Sequence, residues 1–120
     1  MSELTPDSTS RRWFITLTGS THHPSALRAG TDLALAAGAF GQQVTLVFMG
    51  GALEFLTSPP TRDDALHRLL GSLPFYEIDT VYALTPHDAV LSFRDDLNIV
   101  CITPDDWASA AENADIVVNY

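Results

Sequence analysis

Five short runs of aliphatic, aromatic and β-branched residues, at 13–18, 44–49, 81–84, 99–102 and 116–118, are separated by longer segments with helical character. That alternation constrains the fold more than any other feature. Strands divided by a helix-sized connection pair in parallel, and the connecting helices then lie on the faces of the sheet. The run 44–49 is apolar apart from Thr45, as expected of a strand covered on both faces. The expected architecture is an α/β fold, a three-layer α/β/α sandwich with a mostly parallel five-stranded sheet. With 120 residues the chain can close one core, so 12–120 reads as a single domain and the polar stretch 1–11 as a flexible tail.

The connecting segments carry their own punctuation. From Pro24 to Phe40 a helix is expected, with Leu27, Leu33, Ala34, Ala37 and Phe40 on one broad face and Gly41 at its stop. Gly50-Gly51 turns the chain into a short helix over 52–56. Thr61 is placed to cap a helix whose Leu66, Leu69, Leu70 and Leu73 form one apolar stripe. Two junctions repeat one device, Thr85-Pro86-His87-Asp88 and Thr103-Pro104-Asp105-Asp106. In each, Thr can cap, Pro suits the first helical position, and the aspartate accepts from free backbone N–H groups. Trp107, Ala110, Ala111 and Ala114 then share a stripe.

Charge excludes several functions. Fifteen acids face six bases, for a net charge of −9, and every base is an arginine. A phosphate-binding loop with its lysine and a lysine Schiff base are ruled out. Six scattered arginines do not make the basic stripe that nucleic acid needs. Neither a dinucleotide glycine fingerprint nor a nucleophile elbow is present, so no cofactor is expected. Arg11-Arg12 ahead of Trp13-Phe14 imitates an export signal, but the apolar run is too short for one. No stretch approaches the roughly 20 apolar residues that span a bilayer. One cysteine, Cys101, allows no intrachain disulfide, and a cytoplasmic protein is expected.

Parallel α/β sheets bind ligands beyond the carboxyl ends of their strands, which directs attention to 19–24, 49–53, 84–88 and 102–106. Ser20, Thr21, His22 and His23 fall at a strand end before a helix, where His22 could act as acid, base or ligand. Adjacent histidines point apart, so no metal site is expected. Gly50 and Gly51 either let the backbone approach a phosphate or an interface, or simply make a turn at positive φ. The aspartate pairs 63/64, 95/96 and 105/106 could suggest a metal or acid–base site, but the first and last fall in expected first helical turns, where carboxylates simply stabilise the helix end. Cys101 sits within an apolar strand, where a cysteine is ordinarily a buried, inert hydrophobe. The residues by themselves describe an α/β domain with no self-sufficient active site.

A family resemblance adds to this. A strand ending in Thr18-Gly19-Ser20 is followed by His22 and then by Arg28, Gly30, Asp32 and Leu33 on the first helix. A second strand leads into Gly50-Gly51-Ala52, and Leu66 to Leu73 precedes Tyr76-Glu77-Ile78. Thr103-Pro104 follows a strand, and Ala114-Asp115-Ile116-Val117 comes near the end. In order and spacing the chain resembles the DsrE/DsrF/DsrH-like (TusB/TusC/TusD-like) sulfur-relay family, and within it the DsrF or TusC type subunit. In that family the sister subunit of DsrE or TusD type holds a sulfur-accepting cysteine at the end of the third strand. Here that region is Tyr82-Ala83-Leu84-Thr85. The resemblance therefore implies a non-catalytic positioning subunit in a heterohexamer with DsrE/TusD-type and DsrH/TusB-type partners, self-associating when alone. Such a complex passes persulfide sulfur toward tRNA 2-thiouridine or within sulfur oxidation. Ser20, His22, Gly50, Gly51, Phe55, Tyr82, Thr85 and His87 are its candidate binding or interface residues. Phe48, Phe55, Phe75, Tyr76 and Phe93 could equally be partner surface or core. Two alternatives remain open: a free-standing sulfur carrier using Cys101 with help from His22 or His87, and a small-ligand-binding homo-oligomeric α/β module.

Overall fold

A computed structural model describes residues 10–19, 24–57, 65–85 and 92–120. Five strands form one sheet: β1 (Arg12–Leu17), β2 (Gln43–Met49), β3 (Thr80–Leu84), β4 (Asn98–Ile102) and β5 (Ile116–Asn119). Their spatial order is β4-β3-β2-β1-β5, and every pair is parallel. The helices are α1 (Pro24–Ala39), α2 (Ala65–Leu70) and α3 (Pro104–Glu112), with 3₁₀ helices η1 (Gly50–Leu56) and η2 (Leu73–Tyr76) between β2 and β3.

Successive side chains on a strand point to opposite faces, and β1 divides its residues accordingly. Ile15 and Leu17 join Leu46 and Phe48 of β2 and Val81 and Ala83 of β3 on one face. Leu27 and Ala34 of α1, Leu56 of η1 and Leu70 of α2 close that core. Phe14 and Thr16 face the other way. There the Trp107 indole N–H donates to Thr16 Oγ1 at 3.0 Å, and its ring lies tilted against Phe14 with centroids 6.2 Å apart. Helices therefore cover both faces, as expected, but unequally. No residue of α3 is fully buried, because beyond Trp107 it offers the sheet only alanines.

Local signals explain where the elements begin and end. Thr103 forms a reciprocal cap with Asp106: the Asp106 amide donates to Thr103 Oγ1, and the Thr103 amide donates to Asp106 Oδ2, both at 3.1 Å. Thr103→Ala should lower stability by about 1 kcal/mol in urea unfolding while Thr103→Ser stays near wild type. The helix expected to run on to Leu73 stops at Leu70 instead. Gly71 breaks it, and Leu73 reaches the core from η2, where Pro74 favours a new start. Phe40 also departs from expectation. It lies beyond the end of α1, Gly41 turns the chain at φ +80°, and the ring is 84% exposed. The Thr61 cap, the Thr85-Pro86 helix start and most of the N-terminal tail lie outside the described residues.

Candidate functional site at the carboxyl ends of the strands

The carboxyl ends of β1 to β4 lie side by side. At β1, Thr18 donates its amide and its hydroxyl to the Tyr120 carbonyl at 2.7 and 2.8 Å, which ties the exit of β1 to the chain just beyond β5. At β2, Gly50 takes φ +56°, a conformation costly for other residues, so the turn reading holds for it. Gly51 is half-buried at the start of η1. Ala52, Phe55 and Leu56 follow, all buried, so Phe55 faces the core and offers no surface to a partner in the isolated chain. Phe48 is likewise core and Phe93 half-buried, whereas Phe75 and Tyr76 are exposed.

At β3 and β4 the register decides what can meet. Ala83 pairs with Cys101 and Leu84 with Ile102, so Cys101 sits one residue short of the end of its strand. The thiol is exposed, contrary to the buried cysteine expected from the apolar run 99–102. The reason is position: among the described strands β4 is the outermost, with β3 on one side only. Tyr82, one residue before Ala83, belongs to the opposite face by strand alternation. It lines a groove of about 270 Å³ with Phe14, Thr45, Val47, Ile102 and Asp106, between α3 and the sheet. Cys101 and Tyr82 are thus kept apart by the sheet itself. Thr85 is half-buried at the end of β3. Ser20, His22 and His87 lie outside the described residues.

One polar cluster escaped the sequence reading. Arg94 is 6% exposed, and its Nε and Nη2 donate to Asp96 Oδ1 and Oδ2 at 2.6 and 2.7 Å. Its Nη1 also donates to the Phe55 carbonyl at 3.2 Å. The hydrogen bonds from Arg94 hold the Asp96 carboxyl below the ordinary carboxylate range, against the opposing pull of burial. The signal was a charged pair two residues apart, hidden beside Asp95. Every polar atom of the pair is used within the fold, so its work is structural. At the rim, Arg12 lowers the Asp115 carboxyl in the same way, chiefly through its backbone amide. Among the described residues no group of three or more His, Cys, Asp or Glu is arranged to hold a metal.

The model of the DsrE/DsrF-like family matches residues 11–119, nearly the whole chain. The chain belongs to the DsrE/DsrF-like family. The crystal structure of the YchN protein from E. coli has a matching fold, with a TM-score of 0.74 over 92% of this chain and 99% of that one, at 18% sequence identity. No curated protein matches the sequence. Members of the DsrE/DsrF-like family work in sulfur-relay complexes. Among the described residues no helix is long and apolar enough to cross a membrane. Leu84 ends β3 and Thr85 follows it, while the single thiol, Cys101, stands on the adjacent strand.

Proposed function

We propose that residues 12–120 act as one DsrE/DsrF-like domain, a DsrF or TusC type subunit that positions its partners in a persulfide-relay complex without itself carrying the sulfur. What supports this is the end of β3, where Leu84-Thr85 stand in the place that the family resemblance gives to a sulfur-accepting cysteine. The surroundings of Cys101 agree. A relay thiol works best beside a cation or an open helix start. The helix beginning three residues later brings Asp105 and Asp106 instead, and its first turn is already capped by Thr103. The partners in this reading are DsrE/TusD-type and DsrH/TusB-type subunits in a heterohexamer, serving tRNA 2-thiouridine formation or sulfur oxidation.

A second reading, a free-standing carrier, is favoured by one observation, the exposure of Cys101. Intact-mass measurement separates the two. Folded wild type and Cys101→Ser are incubated with a persulfide donor, alone and with a cysteine-bearing DsrE-type subunit. A positioning subunit leaves transfer through the complex unchanged in Cys101→Ser. One sulfur gained by native wild type, absent from the variant and accompanied by loss of transfer, would make Cys101 the carrier and overturn the proposal.

A further inference from the structure

Two phenylalanines are left almost wholly in water. Phe40 is 84% exposed and Phe75 86%, with Tyr76 beside them at 38%. They belong to one junction. The last turn of α1 lies against η2 so closely that a Cβ on Gly38 would stand 2.5 Å from the Tyr76 carbonyl oxygen. Phe40 follows Gly38 by two residues, and Phe75 precedes Tyr76. Both segments lead into strand starts, Gln43 and Thr80, so this patch is at the amino ends of the sheet, opposite the candidate site. Isolated exposed apolar residues are ordinary, but large aromatic rings gathered at one junction mark an interaction surface.

The charge around the rings says what kind of surface would cover them. Glu77 directly follows Tyr76 and Asp79 comes two residues further on, both exposed, and neither forms an ion pair among the described residues. At the same end of the sheet Arg12 is paired with Asp115 and Arg94 with Asp96. Arg11, whose amide donates to the side chain of Gln42, adds one positive charge against the two carboxylates of Glu77 and Asp79. The rim is therefore net acidic on a chain that carries −9 overall. A second copy docked by two-fold symmetry would set Glu77 and Asp79 against their own equivalents, and an anionic lipid surface would be repelled. We infer that Phe40 and Phe75 are the anchors of a docking surface for a partner protein whose apolar face is rimmed by arginine or lysine. Protruding rings fill the partner's apolar face while complementary charge fixes approach and register. The inference does not rest on the sulfur-relay reading, and its test reads binding alone, so either can fail without the other.

The probe is a synthetic amphipathic leucine/lysine helix, with a leucine/glutamate twin as the opposite charge. Isothermal titration and amide chemical shifts follow binding to the full chain. The basic peptide should bind with shifts centred on Phe40, Phe75 and Glu77, and the acidic twin should not. Phe40→Ser/Phe75→Ser keeps the net charge and removes only exposed rings, so folding is spared; it should weaken binding by about tenfold or more. Glu77→Lys/Asp79→Lys should reverse the preference toward the acidic twin. Binding untouched by the serine variant would reduce the effect to bulk charge attraction and overturn the proposal. So would a wild type that sediments as a larger species than the serine variant, which would make a second copy the occupant. Binding of neutral or anionic phospholipid vesicles that is lost in the serine variant would overturn it in favour of a membrane.

Discussion

Arg94→Ala is expected to lower the unfolding free energy by about 2–3 kcal/mol, a fall in melting temperature of roughly 10 °C for a chain of this size. The arginine side chain is 4% exposed and that of Asp96 48%. Removing one partner of a fully buried pair costs about 3–5 kcal/mol because the surviving charge is stranded. Here the surviving carboxylate reaches water, which moderates the loss. What remains is a Phe55 carbonyl without its donor, a void where the guanidinium packed, and a weakened anchor for the strand entry. The Arg94 amide donates to the Leu56 carbonyl at 2.8 Å, and Phe93 bridges to Thr57, so this residue fastens the approach to β4 onto η1. Gly71 lies close beneath, its would-be Cβ 3.0 Å from Asp96 Oδ2 and 3.2 Å from Arg94 Nη2. The contrast is Arg12→Ala. Its ion pair with Asp115 is open to solvent, where water screens the attraction, and its loss should cost far less than that of the buried arginine. Urea unfolding of both variants measures the difference. Acid titration gives a second readout. The Asp96 carboxyl is lowered in the folded state, so its stabilisation is present above the unfolded-state carboxylate pKa and is lost as pH falls through the folded value. In Arg94→Ala that part of the acid dependence should disappear. Equal losses for Arg94→Ala and Arg12→Ala would show that burial of the first pair adds nothing.

The parts of this fold that were legible in the sequence are those set by near neighbours along the chain. Thr103-Pro104-Asp105-Asp106 announced a cap because all its partners lie within one turn. The runs in β1 and β2 announced buried strands because their own apolar character records cover on both faces. β4 was legible as a strand but not as an edge, since strand order is a property of the whole sheet; that is why Cys101 was expected inside and is found outside. Leu73 continued a helical spacing that Gly71 interrupts, and periodicity alone does not weigh one glycine against four leucines. Arg94 was invisible because the carbonyl it reaches, on Phe55, is 39 residues away. The strand-end rule did locate the region around β3 and β4. It could not say that Tyr82 and Cys101 face opposite ways until the register was known.

Gly38→Ala should destabilise the protein by about 1–2 kcal/mol, and Gly38→Leu by about 3 kcal/mol or more, although helix propensity alone predicts a gain of about 1 kcal/mol for the alanine. The position is inside α1, where glycine is ordinarily a weakness. The competing effect is steric and larger. A Cβ there would stand 2.5 Å from the backbone oxygen of Tyr76, and 3.4 and 3.5 Å from Tyr76 Cβ and Ile78 Cδ1. A backbone carbonyl cannot rotate aside as a side-chain tip can, so α1 and η2 must separate. Ala36→Gly is the control. It sits at an exposed position two residues earlier, and should lose about 1 kcal/mol, the ordinary cost of glycine in a helix. If Gly38→Ala instead stabilises the chain in urea unfolding, α1 and η2 are not in close contact. The same contact bears on recognition, because η2 carries Phe75 while the end of α1 leads into Phe40. Forcing the two apart would move one anchor relative to the other without altering either ring or the acidic rim. The basic peptide should therefore bind Gly38→Ala more weakly than wild type at a temperature where both are fully folded. Glycine at this position would then be fixed by the spacing of the docking surface as well as by the packing behind it.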